Sequence, residues 1–166
     1  MLSLCKALNI LKSKLETLTE SSFSNNYISY IANIEEGIEL YLNENLLVQS
    51  FINISNNAKD AFKESKTPQE LRFFFVNVEK QNNEVFIEFK DSAGGIPKSV
   101  IDKIFDPYFT TKHPSIGTGV GLYMTYQIIS KQLKGTIKVS NVEYEYQEKK
   151  LKGASFKIVL PITTLS

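Results

Sequence analysis

Four short polar, aromatic or glycine-rich segments occur in a fixed order along this chain. The segments are Asn53–Ala58, Asp91–Gly95, Phe105–Lys112 and Gly117–Leu122. Any one of them is a weak signal, because short motifs arise by chance. A helix with paired amides, an acidic glycine turn, an aromatic segment and a glycine-rich helix start are far more restrictive together. We therefore expect a fold in which the four segments serve a single binding site.

The composition of the chain limits the class of protein. Its 166 residues suffice for one domain with a core of its own, and we expect a single domain over residues 1–166. A hydrophobic share of 42% and a charged share of 22% are typical of a globular protein. The formal net charge of +1 argues against a general nucleic-acid-binding surface, so no nucleic-acid partner is expected.

The sequence also limits metal chemistry and location. Cys5 is the only cysteine and His113 the only histidine, which excludes a disulfide framework and a metal site with several histidine ligands. No apolar run approaches the length of a membrane span, and Met1–Ala7 is too short for a signal peptide. We expect a cytoplasmic location and no direct membrane contact.

The spacing of apolar residues predicts three main helices. Helical spacing is found over Leu4–Leu18, Leu46–Lys63 and Val120–Leu133. Asn43 is the candidate N-cap of the second helix. Gly135 is the candidate C′ residue that ends the third helix.

The order of the elements predicts the fold class. Strands are predicted at Tyr27–Ala32, Gly37–Leu42, Leu71–Glu79, Val85–Phe89, Thr136–Tyr144 and Ala154–Leu160. A short helical piece is predicted from Pro97 to Ile104. Five to six strands of mixed order, with helices clustered between them, indicate an α+β fold. We expect a two-layer α/β sandwich with the helices on one face of the sheet.

The first polar segment lies inside the predicted helix Leu46–Lys63. Asparagine is a poor helix residue, yet Asn53, Asn56 and Asn57 occur there together. Asn53 and Asn57 are one turn apart and point the same way. The amide oxygen of Asn57 suits Mg²⁺, a hard cation that takes the rest of its shell from water and phosphates. A solvated helix face in an asparagine-rich chain is the alternative.

The second segment follows a predicted strand. A carboxylate at a strand end, here Asp91, can accept a hydrogen bond from an exocyclic amine, which selects adenine over guanine. The glycines Gly94 and Gly95 would let the backbone approach the ring closely. Asp-Ser-x-Gly is also ordinary turn chemistry, so a capped turn is the alternative.

The third and fourth segments indicate a mobile lid and a phosphate site. Gly117, Gly119 and Gly121 precede an apolar helix whose free N–H groups would receive phosphates. No Gly-Lys-Ser/Thr follows them and no βαβ unit surrounds them, so they form neither a P-loop nor a dinucleotide fingerprint. The polar stretch Pro107–Ile116 is expected to be a lid. Lys112 within it either contacts phosphate or is a solvated lysine.

Together these residues resemble the catalytic ATP-binding domain of bacterial sensor histidine kinases, in the superfamily shared with gyrase and mismatch-repair ATPases. The resemblance extends from about Leu8 to Pro161. The similar segments are Gln49–Ala61 (N box), Asp91–Pro97 (G1 box), Phe105–Lys112 (F box), Gly117–Leu122 (G2 box) and Gly153–Phe156 (the final glycine-rich strand). The amino-acid sequence of the F box, Phe105–Lys112, resembles that of the nitrogen-regulator-like subgroup of these kinases.

The resemblance implies a mixed five-stranded sheet with about three helices on one face, and it implies roles for single residues. ATP is the implied cofactor, together with Mg²⁺ held by Asn57. Catalytic roles are implied for Asn53 and Lys112. The implied ATP-binding residues are Asn53, Asn57, Asp60, Asp91, Gly95, Ile96, Thr111, Lys112, Gly117, Thr118, Gly119, Val120, Gly121 and Leu122.

The chain departs from the family's pattern in two ways. Ala93 replaces the first glycine of the usual Asp-x-Gly-x-Gly sequence, and its small side chain keeps nucleotide binding the expectation. No helix with a phosphoacceptor histidine precedes the strands, so we expect a fragment of a larger kinase whose dimerisation domain is separate. His113 is expected to be an ordinary loop histidine.

One position separates reaction types in the superfamily. Members that hydrolyse ATP carry a glutamate four residues before the Mg-binding asparagine, and Asn53 occupies that position here. An amide cannot act as a general base near neutral pH. The resemblance therefore implies phosphoryl transfer to a histidine of the dimerisation domain, with a response regulator downstream and a monomeric isolated domain. The alternatives are an ATP-driven switch and a regulatory nucleotide-binding module without catalysis.

Overall fold

The computed structural model describes residues 13, 16, 17, 23–111 and 119–162, which form five strands and two α-helices. The strands are β1 (Ser29–Ile34), β2 (Phe73–Gln81), β3 (Glu84–Asp91), β4 (Thr136–Tyr146) and β5 (Lys149–Pro161). The helices are α1 (Glu44–Ser65) and α2 (Gly121–Gln127), and α2 continues as a π-helical turn over Ile128–Gln132. Short 3₁₀ turns lie at Gln69–Leu71 and Ile101–Lys103.

The five strands form one mixed sheet in the order β1-β2-β3-β5-β4. Strands β1 and β2 are parallel, and α1 lies between them in sequence, because a parallel pair needs a long crossover. The pairs β2–β3, β3–β5 and β4–β5 are antiparallel. The predicted α+β fold with a mixed five-stranded sheet is confirmed.

Helix α1 forms because its sequence supplies both a cap and an apolar stripe. The Asn43 side chain accepts a hydrogen bond from the Asn45 N–H at 3.0 Å, so the predicted N-cap is confirmed. The buried residues of α1 are Leu47, Ser50, Phe51, Ile54, Ser55, Ala58 and Phe62. The Phe51 ring packs edge-on against Phe89 of β3, with 4.7 Å between centroids. Burial of each large apolar side chain contributes about 1.5–3 kcal/mol, so the apolar stripe of α1 turns toward the sheet. The face that carries the asparagines then points away from the core.

Successive side chains of β2 point to opposite faces of the sheet, and both faces carry apolar clusters. Phe74 and Val76 belong to the large cluster that also contains the buried residues of α1. Phe73 and Phe75 belong to a smaller cluster with Leu151 of β5. The described helices therefore pack on one face, as predicted, while aromatic residues cover part of the other.

The predicted strand Gly37–Leu42 is wrong. The segment has no strand pairing in the structure, and it begins with a turn in which Gly37 has a φ of 77°. Ile38 and Leu40 are nevertheless buried, at 6% and 1% exposure. Their alternation with polar residues therefore reflects an irregular segment that packs two side chains into the core.

Several predicted boundaries also move, β5 by five residues at its start, and two of the shifts have a cause in the backbone. Tyr27 has a φ of 54° and donates its N–H to the Ser24 carbonyl at 3.1 Å, so β1 begins only at Ser29. Lys134, with a φ of 58°, takes the left-handed position after the π-helical turn that was predicted for Gly135. A Cβ on Gly135 would overlap the carbonyl oxygen of Val159, so that glycine is required by the close approach of β5.

The predicted helix Leu4–Leu18 lies outside the described residues except at Ser13, Glu16 and Thr17, which are helical. The Thr17 hydroxyl donates to the Ser13 carbonyl at 2.9 Å, an ordinary contact across one helical turn. Among the described residues, none of the helices combines the length and apolar character needed to cross a membrane.

Candidate functional site

A cavity of about 330 Å³ opens beside α1, and we call it the α1 cavity. Its walls come from one side of α1, the turn that follows β3, the residues that flank the 3₁₀ turn Ile101–Lys103, the aromatic segment, and the start of α2. The lining residues are Asn53, Asn56, Asn57, Asp60, Ala61, Glu64, Gly95, Ile96, Pro97, Val100, Ile104, Phe109, Thr110, Thr111, Gly119, Gly121 and Leu122. Residues far apart in sequence thus meet at one place.

The amide side chains of α1 line the cavity for a simple geometric reason. Positions 56 and 57 each lie three or four residues from both 53 and 60, so the four positions share one broad face of the helix. Asn57 is half-buried at this face, and Asn56 is exposed. The structure therefore places Asn53, Asn57 and Asp60, which the sequence analysis grouped, together on the cavity wall.

Asn53 connects α1 to the first turn of α2. Its Nδ2 donates to the Gly121 carbonyl and to the Thr125 hydroxyl, each at 3.1 Å. Its Oδ1 accepts from Gln49 Nε2 at 3.2 Å. Thr125 is fully buried and also donates to the Gly121 carbonyl at 3.0 Å. Both ends of the Asn53 amide are thus engaged, which fits a connecting role and not that of a base.

Asp91 ends β3 just below the turn that lines the cavity, and it is only 4% exposed. Its Oδ1 accepts hydrogen bonds from the Ala93 and Ala154 N–H groups at 2.9 and 3.2 Å. No described protein group donates to Oδ2. Burial raises the pKa of Asp91 to about 6, and the two N–H donors lower it in part. The carboxylate thus keeps an acceptor oxygen, Oδ2, that the described part of the chain leaves unused.

The surroundings of Asp91 are tightly packed. A Cβ on Gly153 of β5 would overlap the Asp91 carbonyl oxygen, so only glycine fits there. The Tyr144 hydroxyl donates to the same carbonyl at 2.7 Å. Burial, with Asp91 and Glu88 nearby, raises the pKa of Tyr144, so this donor stays protonated. Backbone and side chain of Asp91 are both fixed before any ligand arrives.

The glycine turn after β3 presents backbone to the cavity. Gly94 and Gly95 have φ values of 96° and 88°, which L side chains rarely adopt. The Gly94 N–H donates to the Lys152 carbonyl at 2.9 Å, which attaches the turn to β5. The turn therefore exposes its backbone to the cavity at Gly95 while Gly94 holds it to β5.

The glycines before α2 lie against the aromatic segment. Gly119 has a φ of 70°, and a Cβ there would overlap the backbone carbonyl of Tyr108. A Cβ on Gly121 would lie 3.9 Å from the Asn53 amide carbon, an ordinary contact distance. Of these two positions, only 119 requires glycine, because its φ is positive and a Cβ would overlap the Tyr108 backbone.

The predicted site residues fall into three groups. The α1 cavity is lined by Asn53, Asn57, Asp60, Gly95, Ile96, Thr111, Gly119, Gly121 and Leu122. Asp91 and Val120 are described but do not line it: Asp91 lies below the glycine turn, and Val120 is flanked by two lining glycines. Lys112, Gly117 and Thr118, with the second half of the predicted lid Pro107–Ile116, lie outside the described residues.

The sequence analysis did not assign several residues that line the cavity. They are Asn56, Ala61, Glu64, Pro97, Val100, Ile104, Phe109 and Thr110. Val100 and Ile104 are four residues apart in the short helical piece after the glycine turn. That spacing was a usable signal for one apolar wall, because such residues share a face.

Known proteins resemble this chain over most of its length. Residues 42–164 match the family described as "Histidine kinase-, DNA gyrase B-, and HSP90-like ATPase". Sensor kinase CckA of Brucella abortus is 36% identical over 124 residues, and Sporulation kinase A of Bacillus subtilis is 32% identical over 134 residues. These matches cover 68% and 80% of this chain but only 12% and 20% of the two kinases, so the chain spans a small part of their length.

Solved structures share the fold. A structure of the catalytic domain of histidine kinase ThkA has a TM-score of 0.76 at 26% identity, and the match covers 95% of this chain and 96% of that one. The structure of histidine kinase ThkA in complex with response regulator protein TrrA has a TM-score of 0.66 at 23% identity, covering 94% of this chain and 40% of that one.

Proposed function

Because this chain belongs to the histidine kinase-, DNA gyrase B- and HSP90-like ATPase family, we propose that it binds Mg-ATP in the α1 cavity and transfers the γ-phosphoryl group to a histidine of a separate dimerisation domain. The sensor kinases among its relatives support this proposal. The observation that carries it is the cavity itself, where the amide face of α1 meets the glycine turn and the start of α2.

Asp91 is proposed to recognise adenine. Its unused Oδ2 can accept a hydrogen bond from the exocyclic amine, while Oδ1 stays bonded to two backbone N–H groups. Guanine carries a carbonyl oxygen at the corresponding position, and two acceptors facing each other in a buried site are unfavourable. Gly95 and Ile96 would lie beside the ring, since both line the cavity.

Mg²⁺ fits the donors of the cavity only together with phosphate and water. Among the described residues, no cluster of three or more His, Cys, Asp or Glu could hold a metal ion. Asn57 offers one amide oxygen at the cavity wall. Mg²⁺ keeps several waters and takes one or two protein oxygens plus substrate phosphates, so Asn57 is a sufficient protein ligand. The metal would neutralise charge on the phosphates.

The phosphate end is proposed to lie at the other side of the cavity. Thr111, Gly119, Gly121 and Leu122 line that side. Lys112, Gly117, Thr118 and Val120 complete the proposed phosphate site. Phosphoryl transfer depends mainly on positioning and on neutralising charge, which is what such a set of residues can supply.

The proposed reaction is transfer to a protein and not efficient hydrolysis. Hydrolysis needs a group that activates water, and Asn53 offers an amide at the position four residues before Asn57. In the structure that amide is bonded to Gly121, Thr125 and Gln49. Its role as a catalytic residue is therefore proposed to be one of arranging α2 against the nucleotide.

The proposed partners follow from the proposed histidine kinase activity. A histidine kinase domain acts on its dimerisation domain and signals to a response regulator, and ThkA is known in complex with such a regulator. We propose the same two kinds of partner here. A monomeric isolated domain, a cytoplasmic location and the absence of direct membrane contact complete the proposal.

The decisive experiment uses ATP labelled at the γ-phosphate. The chain is incubated with labelled Mg-ATP, alone and with a separately produced dimerisation domain from the parent kinase. We expect label that survives base but not acid on the dimerisation domain, and none on the chain itself. A variant of that domain without its histidine is the matched control. Free phosphate released at a kinase-like rate without labelling would instead favour an ATP-driven switch.

A further inference from the structure

Asn141 of β4 makes a paired contact with the glycine turn that no motif in the sequence indicates. The Ile96 N–H donates to Asn141 Oδ1 at 2.7 Å, and Asn141 Nδ2 donates to the Ile96 carbonyl at 2.7 Å. One side-chain amide thus satisfies both backbone groups of Ile96, as a neighbouring strand would. Both bonds are short for N–H donors, so the contact is well formed.

The contact lies next to the buried carboxylate. Asn141 is the register partner of Ala154 in β5, and the Ala154 N–H donates to Asp91 Oδ1. The glycine turn is therefore held on both sides, by the Lys152 carbonyl at Gly94 and by Asn141 at Ile96. Its position relative to Asp91 is set by β4 and β5.

The fit between Asn141 and the turn is close. A Cβ on Gly95 would lie 2.7 Å from Asn141 Oδ1, so the glycine leaves the space that the amide needs. Gly94 and Gly95 have no side chains to pack, and ordering such backbone costs roughly 1–2 kcal/mol per residue. The two hydrogen bonds at Ile96 offset part of that cost before a ligand binds.

Asn141 does not line the α1 cavity, whereas Gly95 and Ile96 do. Any effect of Asn141 on a ligand must therefore pass through the turn. The sheet does not depend on this side chain, because β4 pairs with β5 along its whole length from Thr136 to Tyr146. A purely structural role would thus be small.

We propose that Asn141 is a positioning residue that holds the Gly94–Ile96 turn in the conformation that receives the adenine end of the nucleotide. The inference rests on the proposed function. It assigns to β4 a part in nucleotide recognition through a residue outside the four sequence segments.

The test compares Asn141→Ala and Asn141→Asp with the unsubstituted chain. Aspartate keeps the shape and one acceptor but loses the donor to the Ile96 carbonyl, so it serves if the alanine variant folds poorly. We expect both variants to bind ATP and ADP roughly tenfold more weakly, in line with the loss of one or two hydrogen bonds that order the site. The ratio of ATP to ADP affinity should stay constant, because the contact acts at the adenine end.

Two further measurements separate positioning from stability. Amide exchange at Ile96 should become faster in both variants, while exchange at Ala154 stays slow. Asn33→Ala is the matched control, because Asn33 of β1 donates to Asn77 at 3.0 Å, away from the α1 cavity. It should leave nucleotide affinity unchanged.

The outcomes are distinguishable. If the unsubstituted chain binds no nucleotide, the proposed function falls and this inference falls with it. If that chain binds ATP and both Asn141 variants bind it equally well, the inference alone is overturned. Unchanged exchange at Ile96, or a loss confined to ATP, would also overturn it.

Discussion

At the scale of single residues, Asp91 is the side chain to which the proposed function assigns the choice of base. It is a carboxylate with 4% exposure and no cation beside it among the described residues, and its pKa is raised to about 6 by burial. A buried anion of this kind is costly for folding, and such groups are commonly retained where function needs them. Oδ1 serves the fold, and Oδ2 is available to a ligand.

The substitution Asp91→Asn should lower the affinity for adenine nucleotides and reduce discrimination against guanine nucleotides. The adenine amine would lose a charge-assisted hydrogen bond worth about 1.5–3 kcal/mol, so affinity should fall roughly tenfold to a hundredfold. Calorimetric titration with ATP and GTP measures both effects. Unchanged ATP affinity would remove Asp91 from the adenine role.

The raised pKa of Asp91 also predicts how stability depends on pH. The folded state keeps a proton up to about pH 6, whereas the unfolded state releases it near 3.8. The free energy of unfolding should therefore decrease as the pH rises from about 4 to about 6, by on the order of 3 kcal/mol. Urea unfolding at several pH values should show this slope, and Asp91→Asn should lack it. Parallel pH profiles for the two proteins would contradict the raised pKa.

Asn57 is the proposed Mg²⁺ ligand, and its replacement should affect nucleotide affinity and thermal stability differently. Asn57→Ala should remove the Mg²⁺-dependent part of ATP affinity while the apo protein holds or gains stability, because alanine is the better helix former by several tenths of a kcal/mol. Titrations with and without Mg²⁺ and a thermal melt measure the two parts. Asn45→Ala, in the same helix but outside the cavity, is the control. A lower melting temperature with intact Mg²⁺ dependence would make Asn57 structural.

At the scale of secondary-structure elements, the sequence predicted long periodic elements well and contacts between elements poorly. Helix α1 was predicted with its cap, because capping and apolar spacing are local signals. The strand Gly37–Leu42 was wrong, because alternation reports burial and not strand pairing. The contact between Asn141 and Ile96 could not be predicted, since the two residues lie 45 positions apart and neither residue type is distinctive.

The glycine of β5 offers a test of one such contact between elements. Gly153→Ala would place a Cβ on the Asp91 carbonyl, so β5 must shift away from β3. We expect a loss of about 3 kcal/mol or more in the free energy of unfolding, at the upper end for an overpacked core, together with weaker ATP binding.

Gly37→Ala is the control for Gly153→Ala. Its site has a positive φ but no neighbour within 4 Å, so only backbone strain of about 1–2 kcal/mol is expected. Its ATP affinity should not change, because Gly37 is remote from the α1 cavity. Equal losses of stability for the two variants would mean that space at Gly153 is not limiting.

At the scale of the whole molecule, the α1 cavity joins parts of the fold that are distant in sequence. Its walls run from Asn53 in α1 to Leu122 in α2, and β4 and β5 fix the turn between them. The family match over residues 42–164 spans all of these parts. A ligand in the cavity would therefore touch both helices, which Asn53 joins through its hydrogen bonds to Gly121 and Thr125.

Mg-ATP should accordingly raise the unfolding temperature of the chain. A ligand that binds only the folded state adds about 2.7 kcal/mol at one hundred times its Kd, and 1 kcal/mol corresponds to roughly 2–4 °C for a domain of this size. We expect a shift of roughly 5–10 °C with Mg-ATP at that concentration. At equal concentration Mg-GTP should give a much smaller shift, and Asp91→Asn should abolish most of the ATP effect. Equal shifts with Mg-ATP and Mg-GTP would show that the phosphates alone hold the ligand, and adenine recognition by the buried carboxylate would then be wrong.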